Sequence, residues 1–154
     1  MYFGFIFDIF LKIKTMKNYT SLLLLLLFSF VSNAQNDNYV GIYEKKIKTV
    51  KNEVLEYELQ ILSDSTFTFH FFRNLGQSIS KDENAYGKGT WKVIKKVIHF
   101  YTNTSDLDQK YTLDLTNSSG RFDGKNKNQF RFYHSEIPWI EKLTLEKNKY
   151  VFSK

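Results

Sequence analysis

Glu53-Val54-Leu55-Glu56-Tyr57-Glu58-Leu59-Gln60-Ile61-Leu62 decides the fold class. Leu55, Tyr57, Leu59 and Ile61 fall on one face, and Glu56, Glu58 and Gln60 on the other. That period of two belongs to a strand with one buried face, because successive side chains point to opposite sides of a sheet. Ser63-Asp64-Ser65 follows as a short turn whose side chains can bond nearby backbone. Thr66 to Phe72 alternates again, with Phe67, Phe69 and Phe71 opposite Thr68 and His70, until Phe72 interrupts the pattern.

The same alternation continues on both sides of this hairpin. Tyr86 to Val93 sets Gly87, Gly89, Trp91 and Val93 against Lys88, Thr90 and Lys92. Lys95-Lys96 marks a tight reversal into Val97 to Thr102, whose inward residues are best read as Ile98 and Phe100. Upstream, Tyr39-Val40-Gly41-Ile42-Tyr43 opens a strand that runs toward Lys48, with Thr49 to Asn52 as its turn. Downstream, Lys110 to Leu115, Gln129 to His134 and Trp139 to Leu145 read as further strands, with Tyr150 to Phe152 a last short strand or a packed tail. Between them lie polar links at Asn74 to Ala85, Asn103 to Gln109, Thr116 to Asn128 and Ser135 to Pro138. About eight strands in series, joined mostly by short links, predict an all-β, antiparallel up-and-down barrel.

Composition agrees. Aromatic residues make up 18% of the 154-residue chain and there is a single proline, which suits strands and argues against disorder. The chain has no cysteine, so disulfides, thiolate metal sites and a lipid-bearing cysteine are excluded. The formal charge is +6, but a net two of those charges sit before residue 35, where Lys12, Lys14 and Lys17 face only Asp8. The rest is spread over many loops and is read as solvated surface; no nucleic-acid partner is expected.

Met16-Lys17, the apolar run from Leu22 through Val31, and Ser32-Asn33-Ala34 follow the basic, apolar and small-residue order of a secretory signal. Its core of about ten residues is short of the roughly 20 a spanning helix needs. The expectation is a signal over residues 1–34, with translation starting at Met16, and a barrel domain over 35–154 that begins at Gln35. Residues 1–15 as an uncleaved amphipathic anchor are the alternative. The mature protein is expected to be periplasmic or extracellular, without a lipid anchor or membrane span.

The order Gly41-Ile42-Tyr43-Glu44, then Glu56-Tyr57 through Leu59 and Ile61, then Ser65-Thr66-Phe67-Thr68-Phe69, then Gly89-Thr90-Trp91-Lys92 is similar to NlpE-like small barrels of bacterial envelopes. Gly41-Ile42-Tyr43 resembles a softened lipocalin G-x-W entry. The resemblance covers about residues 41 to 115 and implies the barrel. NlpE-like proteins carry a C-x-x-C and a lipobox cysteine; this chain has neither, so copper or redox sensing and lipid anchoring do not carry over.

No catalytic motif is legible. No serine sits in G-x-S-x-G and no glycine-rich phosphate loop is present. Glu56 and Glu58 lie on a solvated face rather than in a cleft. His70, His99 and His134 lie on three strands with different phases, so neither a metal site nor a cofactor is expected. Asp64-Ser65-Thr66 resembles an O-glycosylation motif of exported proteins, but the favoured reading is simply a hairpin turn. The chain is expected to be non-enzymatic. Two functions stay open: a barrel holding a small apolar or amphipathic ligand, or an envelope protein–protein module with a filled core. Outward Phe72 and Tyr101 would favour the second. Because links alternate between barrel ends, the mouth falls at the end carrying Asn74 to Ala85, and its inward residues are Leu55, Phe71, Gly87, Phe100, Tyr111, His134 and Trp139.

Overall fold

A computed structural model of the chain describes residues 38–50, 52–76 and 82–149. The segment expected to be a signal, residues 77–81 of the long polar link and Tyr150 to Phe152 lie outside the described residues. The strands are β1 (Gly41–Lys48), β2 (Val54–Ile61), β3 (Thr66–Asn74), β4 (Glu83–Ile94), β5 (Val97–Tyr101), β6 (Tyr111–Leu113), β7 (Ser119–Phe122), β8 (Gln129–His134) and β9 (Thr144–Lys147). Pairing runs β3-β2-β1-β9-β8-β7-β5-β4, and β3 pairs with β4 to close the ring. All eight of these contacts are antiparallel. The protein is a closed, antiparallel, eight-stranded up-and-down barrel, with β6 added parallel to β4.

Closure gives every ring strand a partner on both sides, although β1 meets β9 only at Tyr43 and Glu44; ring closure is how small all-β proteins avoid edge-to-edge pairing. The register Tyr57↔Phe71, Leu59↔Phe69 and Ile61↔Phe67 joins the apolar faces of β2 and β3, as their shared period demands. Gly87 and Gly89 on β4 lie opposite Phe69 and Phe67. A Cβ at Gly89 would fall on the Tyr101 carbonyl oxygen and 3.1 Å from Phe67 Cε1, so only glycine lets the strands approach here. The turn between β2 and β3 is closed by Asp64, whose Oδ1 accepts from the Thr66 amide at 3.0 Å and hydroxyl at 2.6 Å. Those hydrogen bonds hold the Asp64 carboxyl below the usual carboxylate range.

The Asn74 to Ala85 link is shorter than the sequence predicts, because β3 runs through Asn74 and β4 begins at Glu83, and three further segments differ in kind. Lys110 to Leu115 does not form a full barrel strand. β5 covers only the lower half of β4, pairing Thr90 to Ile94 with Val97 to Tyr101, and β6 covers the upper half at Tyr86 and Gly87. The junction is stitched by two threonines. The Thr102 hydroxyl donates to the Lys88 carbonyl at 3.2 Å and accepts from the Leu115 amide at 3.1 Å; the Thr116 hydroxyl donates to the Thr102 carbonyl at 3.0 Å. The Thr116 to Asn128 link contains β7, which supplies the eighth ring strand. Trp139 to Leu145 is a turn followed by β9, not one strand: Lys142 adopts a positive φ of 64°, which breaks extended backbone.

The interior is layered. At the lower end the Tyr39 ring lies 5.5 Å from Phe122 and 6.4 Å from Trp91, and the Tyr43 hydroxyl donates to the Tyr39 carbonyl at 2.7 Å. Lys147 Nζ donates to the Val40 carbonyl at 2.9 Å beside the same ring layer. The middle layer is Phe67, Phe69, Phe100, Phe130 and Phe132 with Leu59, Ile61, Ile98 and Leu145, all buried. Trp91 is buried too, and its indole N–H donates to the Leu62 carbonyl at 3.1 Å. A ring whose only polar atom finds a partner can be sealed in a core without penalty.

Candidate functional site: the aromatic mouth

The strand ends at Lys48, Val54, Asn74, Glu83, Tyr101, Ser119, His134 and Thr144 gather at one end of the barrel, and the tight turns at 62–65 and 95–96 at the other, as antiparallel order dictates. The first end is the one expected to be the mouth. Its floor comes from alternation on β2 and β3: Tyr57 is buried, and Leu55 and Phe71 are half-buried against the core. Tyr57 and Phe71 are cross-strand partners, with ring centroids 5.1 Å apart.

The remaining wall is not a strand. Ser135 begins a turn that returns to Leu143. The buried Ser135 and Ser118 hydroxyls are 2.9 Å apart, the Ile137 amide donates to Ser135 Oγ at 3.1 Å, and the Phe132 amide donates to the Leu143 carbonyl at 2.9 Å. Both ends of the turn are thereby fixed. Ile140 and Leu143 are buried beneath it. At its apex Trp139 lies 4.5 Å from Phe71, 6.1 Å from Phe69 and 6.2 Å from Tyr57, centroid to centroid. Yet Trp139 remains 37% exposed, while Trp91 in the lower layer is 1% exposed.

The rim is polar. Arg73 and Glu83 pair at 3.5 Å, and Asn74 Nδ2 donates to Asp82 Oδ1 at 2.6 Å. Burial pushes the Tyr57 phenol up, and the Arg73 guanidinium partly offsets it, which places that cation within electrostatic reach of the mouth. The arrangement offers apolar rings, one phenol and one rim cation. Among the described residues no three His, Cys, Asp or Glu side chains converge on a point where a metal could sit.

The seven sequence-derived site residues do not form one cluster. Leu55, Phe71 and Trp139 do meet at the mouth. Gly87 is buried in the upper wall, where a Cβ would strike Leu115 Cδ1. Phe100 is a middle-layer core residue, 4.9 Å from Phe67 and 5.6 Å from Phe132, and not a mouth residue. Tyr111 stands on the outer wall: the register shift in the β4–β6 pairing turns it toward Tyr86 and Lys88, while Leu113 still packs on the core. His134 is exposed at the end of β8, where the β7–β8 pairing carries a bulge. Sequence reasoning placed Tyr57 on the inward face but not in the site, and missed Ile137 and Ile140. The apolar run Ile137-Pro138-Trp139-Ile140 was the available signal, since a solvent-facing turn has no use for it.

Phe72 and Tyr101 both lie on outward strand positions, with Tyr101 36% exposed. Searches of protein-family models, curated proteins and solved structures find no match for the chain.

Proposed function

We propose that the protein is an exported, non-enzymatic barrel that binds a small apolar or amphipathic molecule at its mouth. The observation that carries this reading is Trp139. It is the largest apolar side chain at that end, comes from a turn and not a strand, contacts Tyr57 and Phe71 of the upper layer and Phe69 of the middle one, and still keeps more than a third of its surface in water. A half-exposed aromatic shelf with a polar rim has the make-up of a small-molecule site. Because the middle layer is packed with rings, the ligand lies shallowly against Tyr57, Phe71 and Trp139 instead of running deep into the barrel. Arg73 at the rim suits a ligand with one anionic end. Export rests on the Leu22 to Val31 core and Ser32-Asn33-Ala34, with a mature chain from Gln35 and no lipid anchor. Kinship with lipocalin-like or NlpE-like envelope barrels is part of the same proposal. Tryptophan emission titrated with fatty acids and hydrophobic dyes, with Trp139→Phe as control, tests it.

The second reading is an envelope interaction module, favoured by the outward Phe72 and Tyr101 and by the packed middle layer. Chemical cross-linking in the native envelope distinguishes it: a specific protein adduct, together with no small-molecule binding at the mouth, would place it first.

A further inference from the structure

The outer wall of β3, β4, β5 and β6 differs from the rest of the barrel surface. His70 and Tyr86, cross-strand partners, stack with centroids 4.4 Å apart and planes within 2°. Lys110 Nζ lies over the Tyr86 ring, 4.8 Å from its centroid, and 5.3 Å from that of Tyr111. Lys88 Nζ lies 4.3 Å from the Tyr111 centroid, and Lys92 Nζ 5.9 Å from that of Tyr101. Three ammonium groups are thus held against tyrosine rings, which orders long side chains that would otherwise sample many rotamers. Asp108 is the one carboxylate paired with them, 3.2 Å from Lys88. Among the described residues Lys92 and Lys110 make no ion pair. By contrast the β1–β2 wall mixes signs: Glu44, Lys46, Glu56 and Glu58 point outward there, and Lys46 pairs with Glu56.

We propose that this wall is a binding surface for an acidic glycan, a polysaccharide carrying repeated carboxylates. Lys88 and Lys92 point outward four residues apart on one strand, about 13 Å by strand rise. With Lys110 they form a fixed row of cations that a chain of regularly spaced anions matches. The neighbouring Tyr111 and Tyr101 hydroxyls, which make no hydrogen bond among the described residues, can donate to sugar oxygens. The stacking decides against single-stranded nucleic acid. Bases need open ring faces, whereas His70 stacks on Tyr86 and lysine ammonium groups lie over the Tyr86 and Tyr111 rings. This surface lies on the outer wall and does not depend on the mouth being a ligand site.

The test is binding of a polygalacturonate oligomer to the purified protein by calorimetry at low and high salt, beside a neutral glucan of equal length. Saturable, salt-sensitive binding is expected, with none to the neutral glucan. Lys92→Gln/Lys110→Gln should bind about tenfold more weakly, the order expected for two exposed charge contacts. Lys46→Gln/Lys48→Gln on β1 removes the same charge and should leave binding unchanged. Equal loss in both double variants would reduce the effect to net charge and overturn the proposal. So would no saturable binding at low salt, tighter binding of a single-stranded oligonucleotide, or binding only to phosphatidylglycerol vesicles. Circular dichroism of each variant confirms that the barrel is intact.

Discussion

The indole of Trp139, held at the apex of a turn, lies 4.5 Å from the ring of Phe71 on β3, with an interplanar angle of 32°. A residue outside the barrel strands therefore completes the aromatic layer at the mouth. Its contacts are those of a core residue, while its exposure is that of a surface one.

The two tryptophans should consequently differ in what they contribute. Trp91→Ala removes a buried ring and its hydrogen bond to the Leu62 carbonyl, which keeps only the Ser65 amide as donor, so a loss of about 3–5 kcal/mol is expected. Trp91→Phe keeps most of the ring and loses chiefly the hydrogen bond, costing about 1 kcal/mol from that bond. Trp139→Ala should cost clearly less than Trp91→Ala, because part of its surface is already hydrated. Urea unfolding of the three variants checks the order; an equal loss at both positions would mean Trp139 is a core residue only.

Gly89→Ala and Gly120→Ala should each destabilise by about 1–3 kcal/mol, the range for overpacking. A Cβ at Gly120 would strike Phe130 Cζ, and one at Gly89 the Tyr101 carbonyl, which as backbone cannot move aside. Gly124→Ala, where a Cβ would meet nothing within 4 Å, is the control and should melt like the parent.

Stability should fall at both pH extremes for separate reasons. Backbone and side-chain hydrogen bonds lower the folded-state pKa of Asp64, Asp108 and Asp123. A lowered carboxyl stabilises the fold above its unfolded pKa of about 4 and loses that contribution as pH falls toward the folded value. Burial raises the Tyr43 phenol. A raised phenol is fully compatible with the fold below its unfolded pKa of about 10, and stability is lost as pH rises beyond it, since only the unfolded chain readily ionises there. Melting curves from pH 3 to 11 should show both limbs. Asp64→Asn should flatten the acid limb. Tyr43→Phe should flatten the alkaline one, at a neutral-pH cost of about 1 kcal/mol for the bond to Tyr39.

Arg73→Gln should weaken a carboxylate-bearing ligand at the mouth by about fivefold at most, since the guanidinium is solvated and already paired with Glu83. A fatty alcohol of the same chain length should bind both forms equally. Parallel dye-displacement titrations check this; equal losses for acid and alcohol would mean that Arg73 shapes the rim and does not read charge.

Much of the barrel was legible because period two is a strong signal wherever one face is buried. Leu59, Ile61, Phe67, Phe69, Trp91, Ile98 and Phe100 are core residues where alternation put them. What alternation cannot carry is a change of geometry between neighbours. The register shift that turns Tyr111 outward, the bulge beside His134 and the positive φ at Lys142 are each local breaks in a periodic pattern. β7 was hidden for a related reason. Ser119-Gly120-Arg121-Phe122 offers little apolar alternation, and Gly120 is there because Phe130 fills the space where a side chain would stand. Of the candidate site, topology gave the end of the barrel that carries the longer links, but Trp139 entered it as a strand residue when a turn delivers it.

The most direct test of the mouth as a ligand site uses the chain's two tryptophans. Emission of the wild-type protein and of Trp139→Phe is titrated with a panel of fatty acids and hydrophobic dyes. Saturable quenching in the wild type, absent from Trp139→Phe while Trp91 emission stays constant, is the predicted result. No saturable change with any compound, or quenching that persists in Trp139→Phe, would contradict it.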